Sequence, residues 1–268
     1  MTIRIERDGA VTALVFARAE RKNAITAAMY AALADGLAAA ATAPDVKVAL
    51  IHGDGGVFTA GNDLADFLHD PPRDDQAPVM RFLRALEAFP KPLVAAVQGA
   101  AIGVGTTLLL HCDAVYAAED ASFALPFVNL GICPEAGSTF LLPALAGYAR
   151  AAEKLLFGEP FGAAEAREIG LVNRLLPAAE VVGFARERAR ALATRPLASL
   201  IETKRLLRAP LAAATAQARA DESATFRRML TEPAAREAFA AFLEKRRPDF
   251  AKVEREAAAA RGADDARA

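Results

Sequence analysis

A single carboxylate stands out in the segment NLGICPEAGSTFLLP, residues 129–143. Glu135 is surrounded there by apolar and small residues, and the segment contains no basic residue and no second acid. Because an ionised carboxylate is costly to keep in apolar surroundings, its presence needs an explanation. Pro134 and Gly137 predict a turn around Glu135, followed by an apolar helix. Two interpretations fit equally well: a carboxylate in the first turn of that helix, or a catalytic base.

The segment VFTAGNDL, residues 57–64, contains a glycine turn that could present backbone N–H groups to a ligand. It follows the apolar run KVALIHG and a glycine pair, so we expect it after a buried strand. Ala60, Gly61 and Asn62 allow the chain to bend sharply and to point amides outward. Taken alone, the segment fits an ordinary βα turn with Asp63 opening the next helix.

A second glycine turn lies in QGAAIGVGTTLLLHCD, residues 98–113. Gly103 and Gly105 flank Val104 where a helix is predicted to begin, so free N–H groups and the positive end of the helix dipole converge there. Leu108 stands where a dinucleotide motif needs its third glycine, and no Gly-Lys-Ser/Thr of a Walker loop follows. Tight helix packing would explain this turn alone, but the two turns together predict the paired N–H donors that an enolate or tetrahedral oxyanion requires.

Composition narrows the class of protein. The chain has 268 residues, 54% of them hydrophobic, which is enough for one large α/β domain or two smaller ones. Its 32 basic and 33 acidic residues nearly cancel, so we expect no nucleic-acid partner. The two cysteines, Cys112 and Cys133, suggest neither disulfides nor a zinc site. With no apolar run of about 20 residues and no secretory signal, the sequence predicts a soluble cytoplasmic protein without a membrane partner.

Other polar residues favour structural roles. His52, His69 and His111 are scattered without a Ser or Cys partner at a suggestive spacing, so a hydrolytic triad is not predicted. Asp66, His69 and Asp70 are interpreted as a solvated loop rather than a metal site. The acidic pair at 74–75 is interpreted as a mobile lid or linker over the site.

Repeated strand-turn-helix patterns must position these turns. TIRIERDGAVTALVFA predicts a hairpin turning at Asp8 and Gly9, and Thr26 is a plausible N-cap for the helix that follows. The runs at 47–53, 91–99 and 113–119 each predict a strand followed by a turn and a helix.

The last third of the chain is predicted to be mainly helical. Helical patterns run through 178–194, 211–230 and 233–246, with one further strand at 170–176. The Ala-rich and charged end, 251–268, predicts disorder.

These motifs, in this order, resemble the crotonase superfamily, the enoyl-CoA hydratases and isomerases. The resemblance runs from about residue 3 to 250 and includes ERKNAI, TAGNDL, GAAIGVG, DAVYAAEDASFALPFVNLG, FGEPFGAAEAREIGLVNRLLP and AFLEKR. It implies an α/β fold, a ClpP-like spiral of ββα units over 1–195, with a helical trimerisation region over 196–250. It also implies an acyl-CoA substrate, no separate cofactor or metal, and a homotrimer or dimer of trimers.

The resemblance assigns roles to named residues. The thioester carbonyl would be held by the backbone N–H groups of Asn62 and Val104. Coenzyme A would pass Lys22, Ala24, Ala60, Asp63 and Leu64, with Phe242 and Lys245 reaching a neighbouring subunit's nucleotide. An apolar acyl pocket around Glu135 would be formed by Phe127, Leu130, Ile132 and Phe140.

The reaction depends on which carboxylates are present. A typical hydratase carries two glutamates, and the matching positions here are Thr107 and Phe127, neither of which can act as a carboxylate base. Glu135 matches the single glutamate of the peroxisomal-type Δ3,Δ2-enoyl-CoA isomerase branch. The expected function is therefore a 3-enoyl-CoA to 2-enoyl-CoA isomerase with Glu135 as the proton shuttle. A hydratase or other acyl-CoA enzyme, and a non-catalytic acyl-CoA binder, are the alternatives.

Overall fold

The computed structural model describes residues 2–69 and 71–265, and within them the N-terminal hairpin is as the sequence predicts. Strands β1 (Ile3–Asp8) and β2 (Val11–Phe16) are antiparallel, and Gly9 adopts φ 58° in the turn. Every residue of β2 is buried, whereas β1 is mostly exposed. The hairpin therefore covers one edge of the sheet with a partly solvated strand.

The main sheet has the strand order β1-β2-β3-β4-β6-β9. From β2 onward its strands are parallel, and they include β3 (Val48–Gly53), β4 (Leu93–Val97), β6 (Ala114–Ala118) and β9 (Arg174–Leu176). All residues of β3 and β4 are buried, as expected for parallel strands covered on both faces. The strands predicted at 47–53, 91–99, 113–119 and 170–176 are thus confirmed.

A second, three-stranded sheet was not anticipated from the sequence. It has the order β5-β7-β8 and consists of β5 (Ala100–Ile102), β7 (Ser122–Ala124) and β8 (Phe161–Gly162). Strands of two or three residues are too short to show a periodic pattern, which explains the omission. The isolated pairing of Thr59 with Ala101 joins the first glycine turn to this sheet.

Helices cover the sheets and form most of the last third of the chain. Their bounds are α1 (Ala27–Thr42), α2 (Leu64–His69), α3 (Pro78–Ala88), α4 (Val104–Thr107), α5 (Ser138–Ala146), α6 (Tyr148–Phe157), α7 (Ala163–Glu168), α8 (Val181–Ala193), α9 (Leu197–Leu230), α10 (Pro233–Leu243) and α11 (Phe250–Asp265). Short 3-10 turns occupy Ala19–Arg21, Leu108–His111, Val128–Leu130 and Ala178–Glu180. Thr26 caps α1 by accepting a hydrogen bond from the N–H of Met29, as predicted.

Two sequence-based interpretations need correction. Asp66 lies in helix α2 rather than in a solvated loop, and its carboxylate accepts a 2.7 Å hydrogen bond from the N–H of Ala27 at the start of α1. Asp70 lies outside the described residues. The segment predicted to be disordered from 251 is helical as far as Asp265, while 266–268 lie outside the description. High alanine content favours a helix, and Asp249 caps it by accepting from the N–H of Lys252.

The long helix α9 runs from Leu197 to Leu230 without interruption at Pro210, so it extends well beyond the predicted 211–230. It packs along α5, and α10 follows it. Among the described residues, no helix is both long and apolar enough to cross a bilayer.

Candidate active site

The loop at 18–25 is anchored beneath the first glycine turn by Asn23. This residue is fully buried with φ 55°, a conformation that asparagine tolerates better than most residues. Its side-chain amide donates to the carbonyls of Asp54 (3.0 Å) and Val57 (2.7 Å). Arg18 adds a second tie, because its guanidinium donates to Asp63 at 2.7 Å and to the carbonyl of Ala24 at 3.0 Å.

The ion pair with Arg18 also sets the charge of Asp63. Burial is the largest single effect and raises the pKa of this carboxyl, but the hydrogen bond and charge of Arg18, together with the backbone N–H groups of Asp66 and Ala65, hold the pKa below its usual value. Asp63 therefore stays ionised at neutral pH and keeps the 18–25 loop fixed to the turn.

Backbone pairing points one N–H group of the first turn away from the protein. The N–H of Ile25 donates to the carbonyl of Gly61, and the N–H of Asp63 donates to the carbonyl of Ile25. The N–H of Gly61 donates to the hydroxyl of Thr59. Within the described part of the chain, the intervening N–H of Asn62 has no such protein acceptor. It is available to a ligand.

The second N–H group belongs to Val104, the first residue of helix α4. The first N–H groups of a helix have no intrahelical acceptor, so this one is also available. Gly103 precedes it with φ 56° and ψ −117°. The carbonyl of Ile102 lies against Gly61, and Thr59 pairs with the strand that ends at Ile102. Strand pairing therefore brings the two glycine turns together, as the sequence predicts.

Asn62 and Val104 both line one cavity of about 560 Å³. The predicted site residues that line it are Ala24, Ala60, Asn62, Asp63, Leu64, Val104, Phe127, Leu130, Ile132 and Phe242. Arg21, Ile102, Pro126, Asn129 and Leu243 also line it but were not singled out from the sequence. Most residues that line the cavity are apolar, and its polar side chains are Asn62 and Asp63 of the first glycine turn together with Arg21 and Asn129.

Four predicted site residues lie outside this lining. Lys22 is exposed with φ 51°, next to the cavity-lining Arg21, and its carbonyl accepts from the N–H of Ala60. Lys245 is exposed beyond the end of α10, and Phe140 is half-buried within α5. The resemblance assigned Phe242 to a neighbouring subunit's nucleotide, whereas here it lines the cavity of its own chain.

Glu135, the fourth, is buried, only 7% exposed. Its carboxylate accepts a 2.8 Å hydrogen bond from the hydroxyl of Thr107, which lies in the same short helix as Val104. Burial raises the pKa of Glu135 to about 7, the Thr107 hydrogen bond partly opposes this, and the charge of Glu222 adds to it. From the sequence, Thr107 is notable only because it stands where a hydratase has a glutamate. In the structure it lies one turn after Val104, and its hydroxyl reaches Glu135.

Tyr30 contacts the first glycine turn and lies close enough to Glu135 to be affected by its charge. Its hydroxyl, on the buried face of α1, donates a short hydrogen bond to the side-chain carbonyl of Asn62. Burial raises the pKa of Tyr30 well above its ordinary value, and the nearby charge of Glu135 raises it further. Tyr30 also lines a second cavity of about 270 Å³, together with Phe67 and Val79. Nothing in the local sequence around Tyr30 indicated this contact, because Asn62 is 32 residues away.

The remaining polar candidates do not form a second reactive centre. His52 is buried, and its Nε2 faces the guanidinium of Arg186 at 3.0 Å. Burial raises the pKa of the Cys112 thiol to about 12 and that of Cys133 to about 11, so both stay protonated at neutral pH. The described residues contain no cluster of His, Cys, Asp or Glu suited to a metal ion. Asp75 pairs with Arg227 of α9 at 2.8 Å, which ties the 74–75 segment to that helix.

The close approach of Gly61 to Ile102 predicts a selective effect of a methyl group. Gly61 and Gly56 both have positive φ, 85° and 72°, but a Cβ at Gly61 would lie 2.7 Å from the carbonyl oxygen of Ile102, whereas one at Gly56 would meet open space. We expect Gly61→Ala to lower the free energy of unfolding by several kcal/mol and Gly56→Ala by about 1 kcal/mol. Urea denaturation measures both, and equal losses would show that the strand contact does not constrain this turn.

The raised pKa of Glu135 predicts a pH-dependent stability. Between the ordinary value of 4.5 and about 7, the folded protein holds a proton that the unfolded chain releases. This contribution to stability is complete below pH 4.5 and is lost as pH rises through 7. Glu135→Gln lacks this titration, so its unfolding free energy relative to wild type should increase by about 3 kcal/mol between pH 4.5 and 8. Thermal or urea unfolding measures this difference, and the control Glu119→Gln, at an exposed site, should show no such trend. If the stability of Glu135→Gln changes with pH as that of wild type does, burial does not raise the pKa of Glu135.

Comparison with known proteins identifies the family. A family model described as enoyl-CoA hydratase/isomerase matches residues 6–253. Enoyl-CoA delta isomerase 2 of Rattus norvegicus is 38% identical over 212 residues, which are 77% of this chain and 54% of the rat protein. The chain therefore spans about half of that relative. The 2,3-dehydroadipyl-CoA hydratase of Escherichia coli (strain K12) is 35% identical over 251 residues, 92% of this chain and 97% of the relative.

Solved structures show the same architecture. The structure of Pseudomonas aeruginosa OdaA is 43% identical and superposes with a TM-score of 0.87, covering 90% of this chain and 98% of that one. An enoyl-CoA hydratase/isomerase from Pseudoalteromonas atlantica T6c gives a TM-score of 0.88 at 37% identity, covering 93% and 99%. Relatives of both reaction types thus match at similar identity. With the family model spanning most of its length, this chain belongs to the crotonase superfamily of enoyl-CoA hydratases and isomerases and has the α/β crotonase fold.

Proposed function

We propose that the protein is an acyl-CoA isomerase that moves the double bond of a 3-enoyl-CoA to the 2 position, with Glu135 as its proton shuttle. One observation carries the proposal: Glu135 is a buried carboxylate with a pKa of about 7, bonded to the same short helix that offers the Val104 N–H. Thr107 and Phe127 occupy the places where the resemblance puts the two glutamates of a hydratase.

The reaction needs one base and one anion site. Glu135 removes a proton from C2 of the 3-enoyl thioester, and the electron pair moves into the carbonyl to give a dienolate. The N–H groups of Asn62 and Val104 hold the oxygen as its charge develops. The protonated Glu135 then delivers the same proton to C4, which restores the thioester carbonyl and leaves the double bond between C2 and C3. No water enters or leaves, so a second carboxylate is not required.

The pKa of Glu135 suits a group that must both accept and return a proton. A catalytic acid–base group works best with a pKa near the working pH, because both of its forms are then accessible. A solvated glutamate near 4.5 would be a much weaker base towards a C–H group. Burial supplies most of the difference, and the Thr107 hydroxyl limits it and fixes one carboxylate oxygen in place.

Binding of the thioester is proposed along the cavity. The coenzyme A portion would pass Ala24, Ala60, Asp63 and Leu64 near Lys22, and the acyl chain would lie against Phe127, Leu130 and Ile132. Phe140 and Lys245 do not line this cavity and contribute less support to the proposal. Because Glu135 does not line this cavity, some side-chain movement on binding is part of the proposal, so that the acyl C2 can reach its carboxylate.

Hydration is the second candidate reaction, because the Escherichia coli relative that matches along nearly its whole length is a hydratase. In that case Glu135 would act on a bound water. A protein that binds acyl-CoA without turnover is the remaining alternative. Reaction profiling separates all three.

The chemical assignment predicts a substrate preference and the effect of one substitution. Wild-type protein should convert 3-hexenoyl-CoA to 2-hexenoyl-CoA faster than it hydrates crotonyl-CoA. Glu135→Gln should lose about 1000-fold in kcat for isomerisation while its affinity for coenzyme A changes little, because the carboxylate acts in proton transfer and lies outside the cavity lining. Absorbance and mass spectrometry of the products measure turnover, and calorimetry measures binding.

The exposed-site variant Glu119→Gln is the control and should behave as wild type. Efficient hydration of crotonyl-CoA with unchanged 3-hexenoyl-CoA would overturn the isomerase assignment. Binding without turnover in wild type and Glu135→Gln alike would support an acyl-CoA binder.

We also propose a homotrimer or a dimer of trimers. Large apolar side chains are exposed on α6 and α9, including Tyr148, Leu156, Phe157, Leu206 and Leu207. Exposed apolar side chains grouped on neighbouring surfaces are typical of interfaces between subunits. Sedimentation equilibrium should give three or six times the 28.2 kDa chain mass, whereas Leu207→Glu should shift the protein towards monomer. A monomeric wild type would contradict the proposal.

A further inference from the structure

Helix α9, whose residues are all described, buries polar side chains where an apolar stripe would be expected. Its four buried residues are Lys204, Thr215, Glu222 and Phe226. Lys204 pairs with Asp113 at 2.7 Å, which accounts for its charge. Glu222 is only 5% exposed, and burying a carboxylate costs several kcal/mol unless it is hydrogen-bonded. The contacts of Glu222 therefore indicate which part of the structure this buried carboxylate stabilises.

Glu222 accepts three hydrogen bonds from the start of helix α5. They come from the N–H of Gly137 at 2.5 Å, the N–H of Thr139 at 2.8 Å and the hydroxyl of Thr139 at 2.6 Å. The N-cap residue of α5 is Gly137, which has no side chain to satisfy these groups. Glu222 therefore caps α5 from another helix, and its negative charge lies at the positive end of the α5 dipole.

The capped turn is the one that carries Glu135, and its backbone is unusual. Ala136 and Gly137 have φ values of 64° and 71° in succession. A left-handed conformation at a residue with a Cβ costs about 1–2 kcal/mol, so surrounding contacts must maintain it. A side chain at Gly137 would also press on Thr215 of α9, since a Cβ there would lie 3.2 Å from its Cγ2.

A second contact holds the turn from the opposite side. His111 Nε2 lies 2.7 Å from the carbonyl oxygen of Ala136 and donates to it, while Arg208 of α9 donates to the carbonyl of His111. Burial lowers the pKa of His111 to about 4, so the ring is neutral at physiological pH. Two residues of α9, Glu222 directly and Arg208 through His111, thus fix the turn.

We propose that Glu222 is a positioning residue for the proton shuttle: it holds the Glu135 turn from α9 and keeps a second negative charge beside the Glu135 carboxylate. The effect on catalysis rests on the proposed function. The electrostatic coupling between Glu222 and Glu135 does not, because it can be measured without substrate. The Glu222 charge opposes ionisation of Glu135, which makes Glu135 the stronger base.

The other charged and titratable groups around Glu135 and Glu222 do not reverse the rise in the pKa of Glu135 that the Glu222 charge causes. Tyr30 approaches Glu135 from α1 and stays neutral because burial raises its pKa. Cys133 lies on the chain just before Glu135 and is also neutral. Burial raises the pKa of Glu222 above its ordinary value, whereas its three hydrogen bonds and the charge of Arg219 favour the ionised form on which the coupling depends. Arg228 lies near Cys133.

The experiment compares charge removal at two adjacent positions of α9. Glu222→Gln removes the buried charge but keeps an oxygen that can accept from Thr139. Asp221→Asn makes the same chemical change at an exposed neighbour and is the matched control. Glu222→Asp keeps the charge on a shorter side chain and so separates charge from placement.

Two readouts are needed, one of them independent of turnover. Titration of protein labelled with 13C at the glutamate carboxyl carbon, with the Glu135 signal assigned by its absence in Glu135→Gln, follows Glu135 directly. We expect its midpoint to move to lower pH by about half a unit or more in Glu222→Gln and to stay unchanged in Asp221→Asn. The acid limb of the kcat/KM profile for 3-hexenoyl-CoA should move with it. Glu222→Asp should keep the midpoint near that of wild type but lose kcat.

The outcomes separate this inference from the proposed function. An unchanged Glu135 midpoint in Glu222→Gln would overturn the inference even if the protein isomerises 3-enoyl-CoA. A shifted midpoint in a protein that does not isomerise any 3-enoyl-CoA would sustain the coupling and refute the isomerase. If Glu222→Gln does not fold, Thr139→Val is the substitute: it removes one hydrogen bond that favours the ionised form of Glu222, so the Glu135 midpoint should again move to lower pH. Lowered stability with an unmoved midpoint in every variant would reduce Glu222 to a structural cap.

Discussion

The hydrogen bond from the Thr107 hydroxyl to the Glu135 carboxylate joins the two parts on which the site depends. Thr107 ends the short helix whose first N–H faces the cavity, and Glu135 lies on a turn from a separate segment of the chain. One side-chain contact therefore ties Glu135 to the helix that begins at Val104. A carboxylate at position 107 would place two like charges against each other in a dry interior. A hydroxyl there leaves Glu135 with a hydrogen-bond donor instead of a second charge.

Buried polar contacts, more than the side chains that line the cavity, fix the positions of the groups at this site. Glu135, Glu222 and Tyr30 are all buried. Their hydrogen-bond partners lie on other elements: Thr107 in α4, the start of α5, and the turn at Asn62, respectively. Buried polar groups that are fully hydrogen-bonded lock the elements that carry them, because any relative movement leaves a group unsatisfied. The parallel strands supply the frame, while these few polar contacts determine where the reactive atoms lie. The α5 turn illustrates this, since it takes contacts from two sides to keep Ala136 left-handed.

The sequence predicts the frame well because its signals are local. The hairpin at Asp8 and Gly9, the buried parallel strands, the cap at Thr26 and the two glycine turns all depend on residues close together in the chain. The β5-β7-β8 sheet is not predicted because its strands are too short to show a periodic pattern. The contacts of Tyr30 and Glu222 are not predicted because their partners lie 32 and 85 residues away in the chain. The segment 250–265 is rich in alanine and charged residues, a composition that occurs both in disordered segments and in helices. In this protein it is helical, and Asp249 caps the helix.

The separation of 85 residues between Gly137 and Glu222 also has a consequence for biosynthesis. The sheets and the cavity turns are complete once the first two thirds of the chain has emerged from the ribosome, but the Glu135 turn is not. Its cap, Glu222, lies near the far end of α9, so the growing chain contains every strand before the residue that caps this turn is synthesised. A truncated chain that ends before Glu222 would keep the whole sheet but lack this cap.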